Sequence, residues 1–167
     1  MIIAAGDHST LNIPHSTFKM MKNGERARGL RNCNPLNIIK TKNTVWLGQI
    51  HTESEKTFCQ FSRMVYGCRA ALKLLRTYYT KYDCTTLRRI IARWAPETEN
   101  NVQAYVRNVS RMTCIGATTP LPPMKPETRE IWCKIVLAMA TVECALDADG
   151  QEQLQIDIED ARWMLNP

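Results

Sequence analysis

No stretch of the 167 residues approaches the ~18 consecutive apolar positions that a membrane-spanning helix needs, so membrane insertion is not expected. Histidine is scarce, with only His8, His15 and His51. The seven cysteines include no C-x-x-C spacing, so no metal site is expected. The cysteines read instead as small buried hydrophobes of a chain made in a reducing cytosol. Aromatics make up 7% of the chain, thin for a base-stacking platform, and the arginines are interleaved with acids; nucleic acid is therefore a minor candidate partner. There is no P-loop, dinucleotide fingerprint, nucleophile elbow or HExxH string, and no cofactor is implied. The opening MIIAAGDHSTLN has no basic flank and its apolar run stops at Gly6. It does not read as a signal peptide, so a role outside the cytoplasm would need another export route.

What remains is an ordinary globular composition, 44% hydrophobic and 23% charged, with a net charge of +6. A chain of this length forms one domain and can bury about two-thirds of its unfolded surface. The mild positive excess favours an anionic partner without selecting one.

Residues 1–24 lack periodicity and read as an N-terminal arm. GERARGLRNCNPLNI, with Gly29, Pro35 and three asparagines, reads as a structured loop. TVWLGQI (44–50) and TFCQF (57–61) read as the strands of a β-hairpin around a polar turn. Apolar residues at three- and four-residue intervals then predict helices over about 64–82, from Thr85 or Thr86 to a stop at Pro96, and over about 99–112. TTPLPPMKP marks a connector, 117–126. Beyond it, 127–167 reads as a helical pair, about 127–146 and 151–164, packed on the domain formed by 25–116. The fold class expected is mainly α (α+β), a helical domain with one small hairpin.

Three strings carry candidate chemistry. Arg28, Arg31, Asn32 and Asn34 form a polar cluster that suits ligand contacts or, equally, the bracing of a long turn. WAPETEN (94–100) reads as a helix stop followed by an acidic helix start, with Glu99 and Asn100 complementing the dipole. Glu143 lies near the end of a hydrophobic helix, a placement that suits a general acid, or the solvent edge of that helix.

RGLRNCNPLNI (28–38), W-x-G, F-x-x-F, YGCRAA, LLRTYYTKY and RWAPETENNVQAYVRNV resemble, in order and spacing, a phage and prophage group of lysozyme-like proteins often labelled virion structural proteins. The pattern runs over about residues 28–116, and CKIVLAMATVECA (133–145) resembles the C-terminal helix of members from Bacteroides-type phages and mobile elements, which tends to end in Glu-Asn-Gly. The chain departs from the pattern in two places: Cys33 replaces the second Asn of RNNNP, and Cys144-Ala145 replaces Asn-Gly after the helix glutamate.

The resemblance implies a lysozyme-like fold and cleavage of peptidoglycan glycan strands, of lysozyme or lytic transglycosylase type, at the bacterial cell wall. Other virion proteins are further implied partners. In that superfamily the catalytic glutamate ends a hydrophobic helix and is followed by a polar loop and hairpin. Here loop and hairpin come first, and Glu25, just upstream, lies in an unpatterned segment. The helix ending at Glu143 has the missing character, which implies a circular permutation that moves it to the C-terminus. On this reading Glu143 is the acid and Glu55, before FxxF, is a second carboxylate or substrate contact. Asn32, Asn34 and Tyr105 line the cleft, Arg28 or Arg31 holds a substrate carboxylate, and Glu99 and Asn100 contact substrate or brace the loop. The alternative function is a non-catalytic virion or glycan-binding protein on the same scaffold.

Overall fold

The computed structural model describes residues 26–95 and 101–165. The fold class is mainly α, with six helices among the described residues and one two-stranded antiparallel sheet. In chain order these are α1 (Arg28–Arg31), β1 (Gln49–Ile50), β2 (Gln60–Phe61), α2 (Met64–Tyr82), α3 (Leu87–Trp94), α4 (Val102–Thr113), a 3-10 turn (Pro126–Thr128), α5 (Arg129–Cys144) and α6 (Ala148–Trp163).

Local chemistry sets several of the boundaries. The Thr86 hydroxyl accepts from the Arg89 amide at the start of α3, and the side chains of Asn101 and Asp147 cap α4 and α6 in the same way. Three helix stops use a left-handed residue: Asp83 ends α2, Cys114 ends α4 and Ala145 ends α5. After α5 the Leu146 amide bonds back to the Thr141 carbonyl at 3.2 Å, the six-to-one closure of a Schellman turn.

Three helices depart from the sequence-based expectation, and one of them, α4, begins at Val102 after the Asn101 cap and not at about 99. The periodicity of α5 predicts one buried stripe, yet Trp132, Cys133, Ile135, Val136, Ala138, Met139 and Ala140 are all buried. It is apolar nearly all round because α2, α4 and α6 surround it. α6 begins at Ala148, earlier than 151, because Asp147 supplies the cap.

The hairpin is also smaller than expected. Gln49 pairs with Phe61 and Ile50 with Gln60, and only isolated bridges, Ile39 to Phe58 and Thr41 to Thr44, extend the pairing. Residues 28–38 contain the one-turn helix α1 in place of a continuous loop, and two left-handed residues follow it, Cys33 (φ 49°) and Asn37 (φ 50°).

Glycines permit the two closest contacts around this segment. A Cβ on Gly67 would lie 1.9 Å from the Cys33 carbonyl oxygen, so the loop can rest on α2 only where that atom is absent. A Cβ on Gly29 would lie 2.7 Å from Cys144 Sγ and 2.9 Å from the Asn34 carbonyl oxygen. The contact between α1 and the end of α5 depends on that glycine.

The proline-rich connector is tied down. Its Leu121 amide donates to the Thr85 carbonyl (2.8 Å), its Leu121 carbonyl accepts from Tyr79 Oη (3.2 Å), and its Pro122 carbonyl accepts from Trp132 Nε1 (3.2 Å). All seven cysteines are free thiols. No helix among the described residues is long and apolar enough to cross a membrane.

Candidate functional site

Glu143 sits in the last turn of α5, where α1, its following loop and α4 converge. Each of its oxygens has one partner. Asn37 Nδ2 donates to Oε2 at 3.1 Å and Tyr105 Oη donates to Oε1 at 3.1 Å, from positions 106 and 38 residues away in sequence. The Tyr105 hydroxyl also lies 3.4 Å from the Met139 carbonyl, so its single proton has two acceptors within reach. Tyr105 is buried, and burial together with the adjacent Glu143 carboxylate pushes its phenol pKa well above the ordinary value. It therefore serves as a donor and is not itself a proton source. Cys144, beside Glu143, donates to the Pro35 carbonyl (3.4 Å), and burial pushes its thiol up to about 12, which leaves it inert.

Asn37 reaches its position because the backbone there is left-handed, a conformation that asparagine tolerates better than most residues. It links the carboxylate to a cleft of about 250 Å³ bounded by Ile38, Ile39, Thr41, Thr44, Trp46, Leu74, Tyr78 and Trp94. Tyr78 and Trp94 pack ring against ring, centroids 5.9 Å apart. Glu143 itself is not among the residues that bound this cleft; Asn37, which lines it, is the link. A carboxylate held by neutral donors can hand a proton to, or take one from, a hydroxylated ligand brought against it.

Glu55 is built differently. Its Oε1 accepts from the backbone amides of Thr57 (3.0 Å) and Phe58 (3.1 Å), and its Oε2 accepts from Asn32 Nδ2 (3.1 Å). These hydrogen bonds, the Phe58 amide first, hold its pKa down to about 2, aided by the nearby Arg28. Glu55 thus stays ionised at neutral pH and cannot donate a proton. It closes the turn before FxxF and ties that turn to α1. Lys40 Nζ donates to its backbone carbonyl.

The remaining sequence-predicted residues divide by burial. Asn34 is fully buried, and its amide donates to the Ile38 and Cys59 carbonyls while its oxygen accepts from the Ile38 amide. It staples the loop to the hairpin and presents no polar atom to a ligand, which corrects its expected place in the cleft lining. Asn32 is buried too, accepting from Gln60 Nε2 and donating to Glu55. It positions a carboxylate from behind. Tyr105 likewise acts on Glu143 and is not among the residues that bound the cleft, contrary to expectation. Arg28 is exposed, with its guanidinium 4.8 Å from the Phe58 ring centroid, and Arg31 is exposed on the same turn. Glu25, Glu99 and Asn100 lie outside the described residues.

Sequence reasoning missed Asn37 and the aromatic walls. Asn37 stands inside the RGLRNCNPLNI string, and Trp46, Tyr78 and Trp94 inside the W-x-G, LLRTYYTKY and RWAP strings; that co-occurrence is the available signal. Among the described residues, no group of three or more His, Cys, Asp or Glu side chains is placed to hold a metal ion.

No family model matches the chain. A stretch of 93 residues, 54% of the chain, is 44% identical to protein P5 of the Pseudoalteromonas phage PM2. The chain spans 58% of that relative's length. The similarity is to a phage protein whose name states no activity.

Proposed function

We propose that the protein cleaves the glycan strands of peptidoglycan, with Glu143 as the proton-transferring carboxylate. The observation that carries this reading is the cradle itself: a glutamate at the end of a buried helix, one hydrogen bond on each oxygen, joined through Asn37 to an aromatic-walled cleft. Flat aromatic rings suit the apolar faces of sugar rings, and a single glutamate suffices for the lytic transglycosylase reaction. Glu143 would protonate the glycosidic oxygen, then, as carboxylate, remove the proton of the muramic acid 6-hydroxyl as that oxygen closes on C1. Glu55, ionised and saturated with donors, would hold the hairpin and add negative charge.

The order of elements fits a circularly permuted lysozyme-like arrangement. The helix that carries the acid, α5, follows the loop and hairpin in sequence, yet its end touches the loop through Asn37, Pro35 and Gly29. On this reading the protein would act at the host cell wall, reached with the virion or by another export route; the similarity found is to a phage protein.

One observation favours a different reading, a virion or glycan-binding protein without catalysis. Ile39, Val45, Leu47 and Ile50 are exposed together on the hairpin segment, as a protein-contact face would be. Incubation with purified sacculi separates the two. Soluble muropeptides, identified by mass spectrometry as anhydro or reducing-end products, are expected from the enzyme. Sedimentation with sacculi and no release would support the binding protein.

A further inference from the structure

The glycan reading leaves open how the cleft would distinguish a muramic-acid-containing strand from a neutral polymer of N-acetylglucosamine. Peptidoglycan carries carboxylates on its lactyl ethers and stem peptides, so a selective cleft needs a cation with free hydrogen-bonding edges. Arg28 and Arg31, the two arginines expected to hold such a carboxylate, are not among the residues that bound the cleft. Arg93 does not bound the cleft either, but it stacks on Tyr78 of the aromatic wall.

Arg93 lies on the exposed face of α3, next to the cleft residue Trp94. Its guanidinium carbon is 3.5 Å from the Tyr82 ring centroid and 5.0 Å from that of Tyr78, which lines the cleft. The two tyrosine rings meet edge to face, centroids 6.3 Å apart, so the guanidinium rests in a corner of fixed shape. A guanidinium that stacks on a ring keeps its in-plane N–H groups available, and those can receive a carboxylate bidentately. Its neighbour Arg89, one turn earlier, is engaged by Asp83 at 2.5 Å. No carboxylate among the described residues forms such a pair with Arg93.

Resting on the glycan-cleft reading, we infer that Arg93, stacked on Tyr82 and Tyr78, is a specificity residue that binds a carboxylate carried by the sugar strand. The class of ligand is an acidic glycan, and the neutral chain of the same sugar size is the discriminated competitor. Arginine at this position suits that task better than lysine, because an ammonium neither stacks nor offers two parallel donors.

The experiment measures binding by tryptophan fluorescence, Trp46 and Trp94 being in the cleft, with three probes. These are chitotetraose, a peptide-free glycan of equal length that retains its lactyl carboxylates, and the same glycan bearing stem peptides. The full chain should bind at least one acidic probe about tenfold tighter than chitotetraose, one charge-assisted bidentate contact being worth about that factor. Whichever acidic probe first shows the preference identifies the carboxylate. In Arg93→Gln the acidic-to-neutral ratio should fall to near one, and in Arg93→Lys to an intermediate value. A ratio that survives in Arg93→Gln, or is near one in the unaltered chain, overturns the inference while leaving the glycan cleft standing. Failure of the unaltered chain to bind any of the three probes overturns the cleft reading and the inference with it.

Discussion

Glu143 and Glu55 are both carboxylates with every oxygen hydrogen-bonded, yet they are held by opposite means. Glu55 is gripped on one oxygen by the amides of residues two and three places further along, a local device that would shape the turn in almost any fold. Only its other oxygen has a distant donor, Asn32. Glu143 has no such local donors. Its partners arrive from α4 and from the loop after α1, so its cradle exists only when the whole domain is assembled. Locally satisfied carboxylates shape the backbone, whereas one held by distant neutral side chains is a candidate for chemistry.

The contrast breaks most severely at Gly29. A Cβ there meets Cys144 Sγ and the Asn34 carbonyl, so Gly29→Ala must push α1 away from the end of α5. A loss of about 2–3 kcal/mol in denaturant unfolding is expected. Because Asn37 moves with the loop, muropeptide release should fall further than stability explains. An Ala variant as stable as the parent would show that the seam between α1 and α5 does not need the glycine.

Next in size is Tyr105→Phe. It removes the donor to Glu143 Oε1 and keeps the buried ring. The expected loss is about tenfold in rate, the worth of one hydrogen bond to a charged group. An unchanged rate would reduce Tyr105 to packing.

Two carboxylates make the pH dependence of folding informative, with opposite signs. The pKa of Glu55 is depressed in the native state, so its stabilisation is present above its unfolded value near 4.5 and is lost as pH falls toward 2. The stability gap between the parent and Glu55→Gln should therefore narrow over that window. Asp157 on α6 has the reverse shift: burial, then the adjacent Asp160, raise it to about 6 against the pull of Arg63. The native state holds that proton where the unfolded state has released it, so stability falls as pH rises from about 4 to 6 and then levels. Asp157→Asn should abolish that fall and be the more stable protein at pH 7. Thermal melts across pH 2–7 check both signs.

The smallest effect concerns Ala145, which occupies the left-handed stop after α5. An alanine there costs about 1–2 kcal/mol, of which glycine would return part and lose part to unfolded-state entropy. Ala145→Gly should gain about 0.5–1 kcal/mol in denaturant unfolding. Its position is one where the resembled group tends to carry Gly, and the φ of 50° supplies the physical reason. Cys33, also left-handed at φ 49°, stands where that group has Asn, for the same reason.

These elements also mark what is legible in the sequence. α2 can be read to the residue because its apolar positions face one side and its ends carry no competing signal. Thr86 announces α3. α5 is recognisable as a helix, but periodicity weakens when all sides are apolar, so one stripe is legible where nearly every face is buried. The strands read too long because alternation at 44–50 continues onto exposed Val45 and Leu47, which pair with nothing in the sheet. Glu143 stands out by its helix. Asn37 does not, because a loop asparagine ordinarily serves its own turn. Trp46, Tyr78 and Trp94 read as strand and core residues, because a half-buried ring facing a cleft has the same spacing as one facing the interior. Asn34 and Asn32 draw attention by polar density, which marks buried bracing as readily as it marks ligand contact.

The central claim is that the assembled carboxylate reacts and the local one does not. Its most direct test is the rate of muropeptide release from purified sacculi by the parent, Glu143→Gln and Glu55→Gln, each confirmed folded by its thermal melt. The predicted result is a loss of ~10²-fold or more for Glu143→Gln and a clearly milder loss for Glu55→Gln. Equal release by Glu143→Gln and the parent, or collapse at Glu55 alone, would contradict it.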